Sequence, residues 1–286
     1  MQPMTGMPRA ATLSEPMLDL MPLHGTSAMK AAFGDVRAGF ALLPLAMSLG
    51  WLDIKLRYRG SMLGPFWLTI STAVMVGALG LLYAELFHMN LSRYLPFLSL
   101  SLVLWAYMSA TINEAPMIFT QSAGLMHAMR MPVTMHVLRA IIRNTLVLLH
   151  NIVVIAVVFT LYHVWPRHLW VLAPVLLLWL FDSMAVATLL GLLGARFRDT
   201  PPIVASLMQI FFFVTPVIWQ PDLIYAGRQY LLLDPFYPII EILRGPLLGE
   251  SLRPSIWYAA LAHSAVLWGI ALVVFARFRA RIAYWV

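Results

Sequence analysis

Six long apolar stretches, each almost free of charge, constrain this 286-residue chain more than any other feature. They run over residues 64–87, 94–115, 141–162, 168–194, 202–219 and 256–276. Crossing about 30 Å of hydrocarbon takes roughly 20 helical residues, and the stretches have that length. Charge inside them is confined to Glu85, Glu114, Arg143 and Asp182, and Asp182 alone sits mid-span. The runs are continuous rather than alternating, so they predict helices and not a barrel. Apolar residues make up 61% of the chain and charged residues only 11%, against about a quarter charged in soluble domains. The expected fold is an all-α membrane protein with six transmembrane helices.

The net charge of +7 does not point to nucleic acid. Lys and Arg collect at the ends of the apolar runs, as the positive-inside rule places them. With the N-terminus inside, the inner side carries Arg9, Lys30, Arg37, Lys55, Arg57, Arg59, Arg130, Arg139, Arg143, Arg196, Arg198, Arg277, Arg279 and Arg281. The outer side carries only Arg93, Arg167, Arg228, Arg244 and Arg253. Both termini are therefore expected in the cytoplasm. Residues 1–39 read as a poorly ordered leader. Pro3, Pro8, Glu15, Pro16 and Asp19 interrupt any signal-peptide core, so targeting falls to the first apolar run. Cysteine is absent, which excludes disulfides and thiolate chemistry.

Three segments outside the spans carry information. Over residues 40–63, Leu42, Leu45, Leu49, Leu52 and Leu56 recur every three or four positions, followed by Lys55, Arg57 and Arg59. That pattern predicts an amphipathic helix along the cytoplasmic interface, either a docking surface or a plain anchor. Residues 117–140 are apolar and rich in Met (Met117, Met126, Met129, Met131, Met135), with Arg130 among them. Exposed Met-rich surface suits a partner; the alternative is a long inner end of two spans. Residues 220–255 hold five prolines around the apolar run 238–248, where Glu241 and Arg244 are spaced as a helical pair. Short re-entrant or interfacial helices are expected there, with an ordinary loop as the alternative.

Several chemistries are missing. Lys30 and Lys55 are the only lysines and neither follows glycine, so no phosphate-cradling Walker loop exists. No HExxH spacing and no G-x-S-x-G elbow occurs. Catalytic, cofactor and metal residues are expected to be absent. His150 and Asp182 lie at similar depth, about 15 Å and 18 Å from the inner side at 1.5 Å per residue, with Asn151 alongside. This intramembrane polar trio reads either as a buried bond gluing two helices or as a proton relay. A membrane-embedded enzyme or proton-coupled carrier would need more such groups at one depth.

Arg57-Tyr58-Arg59-Gly60-Ser61-Met62-Leu63-Gly64-Pro65-Phe66-Trp67 resembles the start of the permease subunits of polysaccharide-exporting ABC transporters, the O-antigen, capsule and teichoic-acid types of the ABC type 2 superfamily. Arg196-Phe197-Arg198-Asp199 with Gln209 and Thr215-Pro216-Val217-Ile218 is similar to that family's approach to span five. Asp234-Pro235-Phe236-Tyr237-Pro238-Ile239-Ile240-Glu241, running on to Arg244 and Pro246-Leu247-Leu248-Gly249, is similar to its outer gate. The likeness covers residues 40–286. It departs at Leu52, where the family often has arginine before the aspartate, and leaves residues 1–40 without a counterpart.

The resemblance implies a homodimeric permease in the bacterial inner membrane, with a pore beside spans one and five. It would pass a lipid-linked polysaccharide, driven by a separate nucleotide-binding subunit that holds ATP and Mg. A related permease exporting drugs or lipids is the alternative. Lys55, Arg57, Arg59, Met126, Met129 and Arg130 would form the docking surface for that subunit. Asp234, Pro235, Tyr237, Glu241 and Arg244 would form the outer gate. Aromatic rings pack against the C–H faces of sugars without fixing any one of them, so Trp67, Tyr83, Phe211, Phe212, Phe213 and Trp219 are the channel candidates. The pairs Gly60/Gly64 and Gly77/Gly80 are candidate sites of close helix approach.

Overall fold

The computed structural model describes residues 25–286 apart from Leu63, Pro65, Phe87, Arg130, Arg167, His168, Tyr225, Ala226 and the side chain of Arg228. The expectation for Arg130, and the first part of the expected leader, lie outside the described residues. The chain forms α1 (Thr26–Ala41), α2 (Leu43–Arg57), α3 (Phe66–Leu86), α4 (Leu91–Glu114), α5 (Val133–Leu161), α6 (Leu172–Arg196), α7 (Thr200–Val214), α8 (Tyr237–Leu248) and α9 (Pro254–Phe278). Short helical pieces join them. α3, α4, α5, α6 and α9 are each long and apolar enough to cross a membrane. Most of the arginines gather at one end of the bundle, called here the arginine-rich end.

α4 is the centre. It packs against α3, α5, α6, α7 and α8, and 78% of its apolar window is buried against 11% for α3. α3 and α7 flank it and present their outer sides, including Phe66, Trp67, Ile203, Ile210 and Phe213, to whatever surrounds the protein. Close approach is set by small residues, since helices in lipid gain little from burying more hydrocarbon. Gly194 of α6 lies against the Pro116 carbonyl and Gly191 against the Phe119 ring. Of the glycine pairs singled out in the sequence, Gly80 meets Leu95 while Gly60, Gly64 and Gly77 face open space.

The fifth span departs from a simple helix. α7 has 15 residues, about 22 Å, too short to cross alone. Pro216 disfavours helix in the residue before it, and Thr215 is extended, at φ −70° and ψ 139°. The buried segment 215–218 carries the chain the remaining distance. The Tyr94 hydroxyl donates to the Ile218 carbonyl, which brings the chain level with the start of α4 at the end opposite the arginines.

The N-terminal region corrects two expectations. Helix begins at Thr26, not near residue 40, and α1 meets α2 at a 65° bend where Pro44 sits in the first turn of α2. The leucine stripe packs inward only at Leu42 and Leu49, which are half-buried against the core. Leu45, Leu52 and Leu56 are exposed, and Ala46, Gly50 and Ile54 form the buried face against α5. Spacing marked an apolar face correctly but not its neighbour: against another helix small residues win, and leucines are left for lipid. α1 docks likewise through Ala28, Ala32 and Gly39. Its Asp35 caps the start of α5, accepting from Val133 N–H at 3.1 Å and from Thr134 N–H and Oγ1 at 3.0 and 2.8 Å. Arg279 adds a 3.0 Å ion pair to the same carboxylate.

The segment 117–140 is not an exposed Met surface. It holds two short helices, Ile118–Gln121 and Ala123–Ala128, and the first turns of α5. Met135 is fully buried, Met126 and Met131 pack on the core, and Met129 is exposed.

Packing at Gly194 predicts that Gly194→Ala lowers stability in detergent by about 1–3 kcal/mol, because a Cβ there meets backbone rather than a side chain that can move. Gly77→Ala, facing open space, should be neutral or slightly stabilising through helix propensity. Thermal unfolding followed by size exclusion distinguishes the two.

Candidate functional site

At the arginine-rich end, α2 is fastened to the spans by charge. Arg139 of α5 donates from Nε to Asp53 of α2 at 2.8 Å and pairs through Nη2 with the other oxygen. Arg143, one turn further along α5, lies 3.7 Å from Asp53 and 2.6 Å from Glu114 of α4. Arg57 closes the set at 2.9 Å from the second Glu114 oxygen. Two carboxylates and three guanidiniums thus join α2, α4 and α5 in one chain of ion pairs. Removed partly from water, such pairs are directional and costly to leave open. Beside them lies a polar cavity of about 190 Å³, lined by Asp53, Gln121, Ser122, His136, Arg139 and Arg143 among others. His136 is buried there with neither ring nitrogen hydrogen-bonded.

Of the expected docking residues, Arg57 is therefore held by Glu114, whereas Arg59 is exposed and Lys55 lies over the Trp51 ring at 5.7 Å. Met129 is exposed beyond them and Met126 is half-buried. Asp53, Glu114, Arg139 and Arg143 were not named as a site. The available signal is two acids, in a chain that has only 12, Asp53 within the interface helix and Glu114 at a span end.

A groove of about 710 Å³ runs between α4 and α7. Ser109 and Asn113 of α4 and Gln209 of α7 supply its polar lining, and Trp105, Phe212 and Phe213 supply aromatic surface. The Asn113 amide oxygen has no hydrogen-bond partner. Ser109, Asn113 and Gln209 thus place hydroxyl and amide groups in a groove that is otherwise mostly apolar. The channel candidates divide. Phe212 and Phe213 line this groove and stack edge-on at 5.2 Å. Phe211 turns the other way, onto Phe236 at 5.0 Å. Trp67 is exposed on α3, Tyr83 packs on the core, and Trp219 is half-buried with its Nε1–H donating to the Phe213 carbonyl at 3.0 Å.

Segment 228–248 enters the protein and leaves on the same side. The tip, Asp234–Tyr237, reaches inward until Phe236 packs edge-on to Trp105 at 5.4 Å, about 21 Å along α4 from its start. α8 then returns outward, and Leu248 ends beside Ser92 and Pro96. Asp234 caps α8 through the Phe236 N–H at 2.8 Å. Pro235 is exposed and Tyr237 buried. Glu241 and Arg244 are paired and almost wholly inside the protein. Arg244 also donates to Ser101 Oγ at 2.8 Å and to the Pro216 carbonyl at 2.7 Å, and its guanidinium covers the Phe97 ring at 4.2 Å. In the structure this pair is a buried clamp joining α8, α4 and the broken fifth span.

The intramembrane trio does not assemble. Asp182 accepts from Ser264 Oγ at 2.6 Å and Trp268 Nε1 at 3.2 Å, both on α9. His150 faces α3, near the Phe66 ring at 6.4 Å, and its Nδ1–H donates to the Leu146 carbonyl. Asn151 is buried with its amide oxygen unpartnered. Equal depth had suggested a pair; the rotation of each helix about its axis separates them.

A family model described as ABC-2 type transporter matches residues 45–248. The chain is 24% identical over 209 residues to the O-antigen export system permease protein RfbA of Myxococcus xanthus, covering 73% of this chain and 80% of that protein. It is 23% identical over 174 residues to the protein of the same name from Klebsiella pneumoniae, covering 60% and 67% respectively.

The clamp yields a stability prediction. Arg244→Met leaves Glu241 buried and unpaired, and should cost about 3–5 kcal/mol. Adding Glu241→Gln should recover much of it, as read by thermal unfolding in detergent. Equal instability of the single and double variants would contradict the clamp.

Proposed function

Because the chain belongs to the ABC-2 type transporter family, we propose that it is the membrane subunit of an exporter that moves a lipid-linked polysaccharide of the O-antigen or capsule type across the bacterial inner membrane, as a homodimer driven by a separate ATPase. The relatives' names support the substrate class. The observation that carries the mechanism is the ion-pair chain from α2 to α4 and α5. ATP and Mg belong to the partner subunit, and this chain does no covalent chemistry. The arginine-rich end, with both termini, faces the cytoplasm.

Work enters at α2 and its exposed neighbours Lys55, Arg59 and Met129. When the ATPase closes, it displaces α2, and the pairs through Asp53 and Glu114 oblige α4 and α5 to follow. α4 forms the floor of the groove that holds Ser109, Asn113 and Gln209, so force on α2 reaches the surface along which the glycan moves. A second copy of the chain, meeting the exposed side of α3 and the Phe213 side of α7, closes that groove into a pore. Phe212, Phe213 and Trp67 offer faces for sugar C–H groups, while the amides exchange hydrogen bonds with hydroxyls. On the outer side, the re-entrant tip acts as the gate.

Co-purification from the native membrane tests the scheme: an ATPase subunit should accompany the chain, and a transport-competent preparation lacking one refutes it. In a deletion strain, lipid-linked glycan should accumulate in the cytoplasm, whereas unchanged surface glycan would favour a drug or lipid exporter. Replacing Arg57 and Arg59 with Glu should lower export at least about tenfold while insertion persists, at roughly 1 kcal/mol for each reversed charge. Normal export with coupled ATPase would reduce those residues to anchors.

A further inference from the structure

A slot of about 290 Å³ runs along α6 between α7 and α9. Its α6 lining extends from Trp179 to Leu190, about 16 Å along the helix axis. Met108 of α4 and Met208 of α7 line its sides, and Phe236 of the re-entrant tip also lines it. It opens where α7 and α9 part, at Leu207, which is 48% exposed.

The lining is apolar, and its few polar groups are mostly occupied. Asp182 has both oxygens taken by α9. Ser183 is bonded to the Trp179 carbonyl and the Tyr107 hydroxyl, and Thr111 accepts from Asn144. Among the described lining residues this leaves His263, half-buried on the α9 wall. A smaller apolar cavity, of about 150 Å³, stays dry and takes up benzene, so water is a poor occupant here. The lining follows α6 for about 16 Å, a length suited to an extended hydrocarbon chain rather than a compact solute. The medium at an opening between two membrane helices is itself made of such chains.

We propose that this slot holds a single hydrocarbon chain drawn from the bilayer, threaded between α7 and α9, and that the chain props the α8 tip against Phe211. Two molecules can supply it, a phospholipid acyl chain or the isoprenoid tail of a carrier lipid. Occupancy by a chain stands apart from the exporter reading; an isoprenoid source would rest on that reading and extend it to the lipid part of the substrate.

The test is photolabelling of the full-length protein in liposomes whose phosphatidylcholine carries a diazirine near the end of one acyl chain. Label is expected on α6 between Trp179 and Leu190 and on Phe236. Val186→Trp, inside the slot, and Leu207→Trp, at its mouth, should each cut that label at least fivefold and leave label on the exposed Val153 and Val157 of α5 unchanged. Leu207→Trp adds bulk at a partly exposed position and so keeps the test open if Val186→Trp fails to fold. Loss of slot label on adding polyprenyl phosphate identifies the isoprenoid tail, and persistence identifies the acyl chain; both support occupancy. Label confined to the outer sides of α3, α7 and α9, or slot label unaltered in a folded variant, overturns the proposal. Failure to recover an ATPase partner alongside positive slot labelling would remove the exporter reading alone.

Discussion

Hydrocarbon offers no hydrogen bonds, so every place where a span stops being helical must find donors and acceptors inside the protein. The segment 215–218 is where this chain meets that demand most severely. Pro216 ends α7 midway, and the carbonyls it frees turn to Arg244 and Tyr94. Arg244 in turn needs Glu241, Ser101 and the face of Phe97 to be tolerable without water. The break, the buried ion pair and the re-entrant helix are thus joined through Arg244, which bonds the Pro216 carbonyl and Glu241 together.

The opposite end is organised by a different use of charge. Its ion pairs are partly wet, spread over three helices and shared, so that Arg143 touches both Asp53 and Glu114. Because Arg143 bridges the two carboxylates, a displacement of Asp53 is passed on to Glu114. On the proposed scheme, one end of the bundle holds its geometry and the other passes a displacement on.

Much of this was legible in the sequence. Length and apolarity located α3, α4, α5, α6 and α9 to within a few residues except at the start of α5, and proline spacing foretold the re-entrant segment. Glu241 and Arg244, three apart, are paired as that spacing allows. What one-dimensional pattern could not supply was azimuth. Depth alone put His150 beside Asp182, but the two helices turn those residues toward α3 and α9. The leucine stripe of α2 was visible, yet in a membrane protein an apolar stripe names a solvent as readily as a packing partner, and the actual contact ran through Ala46, Gly50 and Ile54. α1 was missed because its buried face is Ala, Gly and one Asp, which carries almost no hydropathy signal.

That aspartate ties together parts of the chain made at very different times. The α5 amides that Asp35 caps are made about a hundred residues after it, and Arg279 follows 244 positions beyond Asp35. Until Arg279 has been made, the carboxylate lacks this cationic partner and the amino end of α5 is only half secured. A chain arrested before Arg279 would therefore carry an open joint between α1 and α5, so that docking of the first helix is completed from the far side of the fold.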